Sequence, residues 1–262
     1  MSRKVIDQMN REVLIPEQPL RIVSLVPSQT ELLFDLGLNE EIIGITNFCI
    51  HPKEKIKDRQ KVGGTKRLRI DKIKALAPDL IIGNKEENNK EEILALSESF
   101  PVWMSDIQTL SDALEMIQAF GDLVHRKTEA NTIVRQLKND FHQLSTMQKG
   151  ANASVAYFIW NNPLMVAGKD TFIDEILQLI GFKNAFESFP RYPETSFEQL
   201  QQLQPDYIFL SSEPYPFQQK HISEFVEKLP DSKTIIVDGE MFSWYGSRML
   251  HLKKYIEQLT LE

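Results

Sequence analysis

The sequence predicts an α/β fold of two sandwich lobes, each built on a mainly parallel sheet, joined by one long backbone helix. Three observations carry that expectation. A helix, a Pro-Asp turn and an apolar strand occur twice, as IDKIKALAPDLIIG over residues 70–83 and as FEQLQQLQPDYIFL over residues 197–210. Strand patterns alternate with helix patterns on either side of the chain's middle, the order expected of parallel sheets covered by helices. Between them, from residue 110 to about 147, a stretch without proline carries apolar residues at helical spacing, with Gly121 between its halves and room for one irregularity.

The duplication is specific in its spacing. Asp71 stands seven residues before Pro78, and Glu198 seven residues before Pro205. Proline cannot continue a helix and pushes the preceding residue out of the α region, so both helices are expected to stop, and both strands to start, at the same place. A weaker echo, TELLFDLGLNEEIIG over 30–44 and TFIDEILQLIGFKN over 171–184, is in each case a helix closed by glycine. Two motifs recurring in the same order indicate two lobes of one design. The expected boundaries are 1–109 for the first lobe, 110–148 for the connecting helix and 149–262 for the second lobe. A cleft between two similar lobes is a place to bind a ligand.

In order along the chain, residues 3–15 read as a hairpin turning near 8–10, and 21–26 (RIVSLV) as a buried strand running into Pro27. Ser28 or Thr30 is expected to cap a helix over 31–36 that ends at Gly37. A strand over 42–46 leads into an irregular loop over 47–65. The first repeat then supplies helix 71–76 and strand 79–83, followed by a helix over 92–99 and a short strand over 102–104, with Trp103 in the core. After the long helix, the second lobe runs strand 155–160, loop 161–169, helix 171–180, loop 186–196 and the second repeat. Helix 218–228, strand 234–237, an aromatic loop over 240–246 and a terminal helix complete it.

Composition bounds the function. With 262 residues, 42% hydrophobic and 26% charged, the chain has the make-up of a soluble globular protein. A net charge of −7 argues against nucleic acid or an anionic membrane as the main partner. One cysteine, Cys49, excludes an internal disulfide and any cysteine zinc cluster. Residues 1–19 are polar and broken by charge, without the pattern of a secretory signal.

The opening RIVSLVPSQTELLFDLG, the two acid-helix-Pro-Asp-strand units, the long helical stretch and MVAGKDTFIDEILQLIG together resemble the substrate-binding proteins of ABC importers for cobalamin and iron-siderophores. The resemblance runs from about Ile6 to Leu259 and is to the helical-backbone class of these periplasmic proteins, with residues 161–170 and 192–196 most similar to cobalamin-binding members. It implies a non-enzymatic monomer of the cell envelope that holds a small metal chelate in a shallow cleft between its lobes. The partners it implies are that ligand and a transporter permease. No catalytic residue, resident metal or intrinsic cofactor is expected. The ligand it implies is cobalamin or another cobalt corrinoid, with a ferric chelate or haem as the alternative. A cytoplasmic metallochaperone or chelatase-like protein on the same bilobal fold is the rival from another class.

The resemblance also assigns residues. Members dock through one acid per lobe, and Asp71 and Glu198 occupy those positions. Read alone, each is an acid complementing a helix dipole, worth about 0.3–1 kcal/mol. Aspartate is one methylene shorter than the glutamate usual there, which weakens the first-lobe assignment. In the loop EMFSWYG, Trp244 is expected to form a wall of the site, since a large flat ligand is held by aromatic area, while Phe242 or Tyr245 anchors the core. Phe242 is retained as a contact, and Arg248 is a ligand contact or a structural pair. Trp160, ending a strand, and Tyr192, where cobalamin binders often carry tryptophan, are expected contacts. In the first lobe Phe48, His51, Thr65, Asn84 and Lys85 are assigned to the site. Thr65 and Asn84 stand where cobalamin receptors place tryptophans, so another tetrapyrrole or an iron chelate fits as well. Cys49-X-His51 has the elements of a metal or thiol site but no third ligand or orienting acid, and Cys49 is read as a small buried hydrophobe.

Overall fold

Parallel strands form the centre of both units into which the chain divides; the computed structural model describes residues 2–261. The first unit takes the chain up to Ile107, Ser111–Arg135 and Tyr245–Ser247. The second takes Gln108–Leu110, Gln136–Trp244 and the chain from Arg248 onward.

The first unit opens with the expected hairpin, β1 (Ser2–Ile6) against β2 (Glu12–Pro16). Its turn is tied by the Asp7 carboxylate, which accepts the backbone N–H groups of Met9 and Arg11 at 3.0 and 2.8 Å. The sheet follows as β3 (Ile22–Ser24), β4 (Ile42–Ile45), β5 (Gln60–Lys61), β8 (Leu80–Asn84) and β9 (Val102–Ser105). All are parallel, in the order β5-β4-β3-β8-β9. A two-stranded ribbon, β6 (Gly63–Gly64) with β7 (Arg67–Leu68), interrupts the loop expected to be irregular. Helices α1 (Pro27–Asp35), α2 (Ile70–Leu76) and α3 (Lys90–Ser97) lie between strands, and Trp103 is core, its ring edge-on to Phe120 at 5.4 Å.

Helix α1 starts four residues before the expected 31. Pro27 occupies its first turn, where a missing N–H costs nothing, and no side chain caps it. Neither Ser28 nor Thr30 is the cap. The Thr30 hydroxyl instead bonds back to the Val26 carbonyl at 2.9 Å and to Ser24 Oγ at 2.7 Å.

The long helical stretch is two helices, α4 (Leu110–Leu123) and α5 (Lys127–Met147), the second 21 residues long. The break is a left-handed residue, His125 (φ 55°), after which the Arg126 N–H returns to the Gly121 carbonyl at 2.7 Å. Gly121 permits it: a Cβ there would collide with Ala130 on the first turn of α5. Helix α5 runs on without a break from the first unit, through Arg135, into the second, from Gln136. Among the described residues no helix is long and apolar enough to cross a membrane.

The second unit repeats the plan. Strands β10 (Ser154–Trp160), β13 (Tyr207–Ser211) and β14 (Lys233–Val237) are parallel. Two short strands that the sequence did not suggest, β11 (Met165–Val166, antiparallel) and β12 (Lys183–Asn184, parallel), both pair with β10. Its helices are α6 (Phe172–Leu179), α7 (Phe197–Leu203), α8 (Gln219–Lys228), α9 (Gly239–Ser243) and α10 (Leu252–Gln258), with a 3-10 turn at Ser247–His251. Half of the expected aromatic loop is therefore helix, started by the Asp238 carboxylate accepting the Glu240 N–H at 3.0 Å.

The duplicated unit ends its helix and starts its strand in the same way in both copies. Helices α2 and α7 each end on a left-handed residue, Ala77 (φ 44°) and Gln204 (φ 47°). The aspartate after each proline then clamps the start of the neighbouring strand. Asp79 accepts the N–H groups of Leu20 and Arg21 at 2.9 and 2.8 Å, and Asp206 accepts the N–H and hydroxyl of Ser154, both at 2.7 Å. The Pro-Asp pair thus sets the register of β8 against β3 and of β13 against β10. These bonds hold the Asp206 carboxyl below the ordinary carboxylate range, so its contribution is present at neutral pH and is lost as pH falls through the lowered value. Asp206→Ala should cost about 1 kcal/mol at pH 7, the group being exposed, and less in strong acid, measured by urea unfolding at the two pH values.

Candidate functional site

Because the Pro-Asp ends of α2 and α7 sit where strands begin, their opposite ends, with Asp71 and Glu198, lie toward the carboxyl edge of each sheet. Ligand sites of open α/β sheets form at that edge. Each unit's edge is built as follows.

In the first unit, Phe48 follows β4 and is 59% exposed. Its ring lies over Gly64, where a Cβ would stand 3.1 Å from it, so glycine makes room for the ring. Beside it Cys49 is buried, its sulfur 3.2 Å from the hydroxyls of both Thr30 and Thr46. Burial pushes its thiol up, keeping it protonated and inert. His51 and Thr65 are half-buried, and the Thr65 carbonyl accepts from Asn88 Nδ2 at 3.1 Å. Lys85 is exposed and paired with Asp106 at 2.5 Å.

Asn84, expected as a contact, is buried and shapes the loop instead. Its Oδ1 accepts the N–H groups of Glu86 and Glu87 at 2.8 and 3.0 Å, and its Nδ2 donates to Ser105 Oγ at 2.9 Å. A short amide brackets the turn with three bonds that a tryptophan there could not make. Tyr245, which belongs to this unit, donates to Glu87 Oε1 at 3.3 Å. Its phenol is pushed well up, first by burial and then by the charges of Glu87 and Glu86.

In the second unit, Trp160 ends β10 and is 40% exposed. Its indole N–H donates to the Asn162 carbonyl at 3.1 Å and its ring meets Tyr215 edge-on at 5.6 Å, which fixes the indole. Tyr192 is half-buried, with the Arg191 guanidinium 5.5 Å from its ring centre. Glu198 is exposed in the first turn of α7, which Ser196 caps. Its own backbone N–H and the Ser196 hydroxyl hold its carboxyl below the usual range, so it is ionised at neutral pH.

In the aromatic loop the core anchor is Phe242, one of the two residues expected for that role. Phe242 is fully buried against Tyr157, Phe209 and Tyr255; it is a core anchor with no surface to offer, and its assignment as a contact is corrected. Trp244 is 8% exposed, and its indole N–H donates to Glu213 Oε1 at 2.6 Å. Arg248 lies 5.5 Å from the Trp244 ring and 3.5 Å from Glu240, the structural pair foreseen as one of its two roles.

Glu213 was not singled out in the sequence. It lies two residues beyond β13 and is half-buried, accepting from Ser243 Oγ at 3.1 Å as well as from Trp244. Burial pushes its carboxyl up to about 7, with the charges of Glu240 and Asp238 adding to the shift and the bonds from Ser243 and Trp244 opposing it. An acid two residues beyond an apolar strand was the available signal. Among the described residues no group of three or more His, Cys, Asp or Glu side chains is placed to hold a metal ion.

The model of the periplasmic binding protein family matches residues 22–234, and the chain belongs to that family. It is accordingly a binding protein of a transport system and not an enzyme. It is 29% identical to the ABC transporter substrate-binding lipoprotein YvrC of Bacillus subtilis, over 77% of this chain and 67% of that one. It is 27% identical to the vitamin B12-binding protein of Pectobacterium carotovorum, over 92% of this chain and 89% of that one. Among solved structures, a possible iron-binding periplasmic protein of Staphylococcus epidermidis superposes with a TM-score of 0.78 at 22% identity, covering 92% and 98% of the two chains. Haem-binding and Fe3+-hydroxamate transport proteins share the same fold.

Proposed function

We propose that this chain is the substrate-binding protein of an ABC importer, that it works outside the cytoplasm, and that its ligand is a metal chelate, a cobalt corrinoid such as cobalamin before haem or a ferric siderophore. The observation that carries the reading is an exposed aromatic at the carboxyl edge of each sheet, Phe48 in one unit and Trp160 in the other. Exposed aromatic area, fixed in orientation, suits the flat apolar face of a macrocycle. Similarity to vitamin B12-binding proteins over most of the chain ranks the corrinoid first.

In this reading the ligand contacts are Phe48, His51, Thr65 and Lys85 in the first unit and Trp160, Tyr192 and Trp244 in the second, with Arg248 holding Trp244 in place. Asp71 and Glu198 face the permease. The lobes comprise 1–109 and 149–262, with 110–148 connecting them, and the protein acts as a monomer. A titration followed by visible absorbance tests the ligand assignment, because all the candidate ligands are coloured. Binding of cyanocobalamin or cobinamide is expected, and Trp160→Ala and Phe48→Ala should each weaken it by roughly tenfold, the loss of one aromatic contact of about 1.4 kcal/mol. Wild-type affinity retained in both variants would sink the aromatic reading. Fractionation of native cells tests the location: a wholly cytoplasmic protein would favour the chelatase-like rival.

A further inference from the structure

The charge of this chain is unevenly placed. Residues 51–74 hold ten of its 30 basic residues and three of its 37 acids, a net +7 against −14 for the rest. The segment is continuous in the first unit: it leads into edge strand β5, turns through the β6–β7 ribbon and returns as α2. The pieces are packed together, for the Arg69 N–H donates to the Val62 carbonyl at 2.7 Å and Lys72 Nζ to the Lys61 carbonyl at 3.0 Å. Lys53, Lys66, Arg67, Arg69, Lys72 and Lys74 are exposed. Bonds to carbonyls leave the charges of Lys66 and Lys72 intact, and Arg67, Arg69 and Lys74 form no ion pair among the described residues.

The duplication supplies an internal control. Residues 63–77 of the first copy carry five cations and one acid, whereas the equivalent residues 190–204 of the second carry one cation and two acids. The second copy folds to the same helix and the same left-handed end without those cations. The fold therefore does not require them.

Nor does a guest arginine favour them. Asp71 stands among Arg67, Arg69, Lys72 and Lys74, and a permease arginine reaching for it would meet their repulsion. Glu198 has no such surround in its own copy. The cations come from loop, ribbon and helix, and most are on flexible stems with no fixed fork geometry. A diffuse array of that kind matches a fluid sheet of negative headgroups better than a set of fixed carboxylates.

We propose that the exposed basic face over residues 53–74 is a docking surface for a membrane containing anionic phospholipid. It supplements the weaker permease contact of Asp71 in the first unit, whereas Glu198 makes the stronger contact without such cations. The choice of a membrane as the surface rests on the reading of the chain as a transporter's binding protein; the charge asymmetry does not.

Vesicle flotation of the full chain tests it. Retention on vesicles of phosphatidylglycerol and phosphatidylcholine, none on phosphatidylcholine alone, and release as salt rises well past about 0.15 M are expected. The variant Arg67→Glu/Arg69→Glu/Lys74→Glu should reduce retention at least about tenfold, and the milder Arg67→Gln/Arg69→Gln/Lys74→Gln less. Arg135→Glu/Lys138→Glu, on the exposed face of α5, should leave it unchanged. Absence of retention on the anionic vesicles, or retention indifferent to the triple variants, would overturn the proposal. So would loss of assembly with the detergent-solubilised transporter in those variants when the wild type ignores the vesicles, since the cations would then read an acidic protein. Ligand titration of the same samples separates this outcome from failure of the functional reading: vesicle retention without ligand binding would refute the ligand alone.

Discussion

Reversing the docking acids together, as Asp71→Lys and Glu198→Lys, should abolish ligand delivery by the transporter while leaving ligand affinity intact. Both side chains are exposed and neither contributes to a core, so the fold should tolerate the change. Each acid offers a charge-assisted contact, and replacing attraction by repulsion at two points multiplies the loss. The two acids should not be equal. Glu198 is held ionised by its own N–H and by Ser196, at the end of a helix with few neighbouring cations, whereas Asp71 is crowded by them. Glu198→Lys alone should therefore cost more uptake than Asp71→Lys alone, measured as transport of labelled ligand into vesicles carrying the transporter. Equal losses, or a fall in ligand affinity, would make the repeated acids architecture rather than a docking device.

Glu213 gives the second large effect. Its carboxyl has an ordinary value of 4.5 and titrates at about 7 in the folded chain. Between those values the folded state binds more protons than the unfolded state, so stability falls as pH rises through the window and levels off above it. The span corresponds to about 3 kcal/mol. Glu213→Gln keeps an oxygen to accept from Trp244 and Ser243 but carries no charge. The variant should be about as stable as the wild type near pH 5 and more stable by up to about 3 kcal/mol at pH 8, read from denaturant midpoints at the two pH values. A wild type whose stability is flat across that range would show that the half-buried carboxylate is compensated. Trp244 reports the same event, since its indole N–H donates to the titrating carboxyl group.

What could be read in the chain, and what could not, follows from the range of each interaction. The repeat was legible because proline and the helix period act locally, and both copies end and restart where Pro78 and Pro205 require. Its purpose was not, because Asp79 and Asp206 clamp strands 58 and 52 residues away. Gly121 marked the long helical stretch for one irregularity, but a full break between α4 and α5 depends on Gly121 meeting Ala130, a contact no periodicity encodes. The early start of α1 followed from Pro27, which the sequence displayed but which reads equally well as the end of a strand. At the site, Phe48 and Trp160 lie at carboxyl edges because the strands preceding them were identifiable. A core anchor at Phe242 or Tyr245 was expected, but how deeply Phe242 and Trp244 are buried is decided by Tyr157, Phe209 and Glu213 on other strands and loops. Asn84 misled because a position's place in a family pattern says nothing of the amide geometry that turns it inward.

The most direct test is a titration of the purified chain with cyanocobalamin and cobinamide, set beside haemin and a ferric hydroxamate and followed by visible absorbance and calorimetry. Saturable binding of a corrinoid, tighter than that of the others and weakened in Trp160→Ala and Phe48→Ala, is the predicted result. Binding of none of the four would contradict the account.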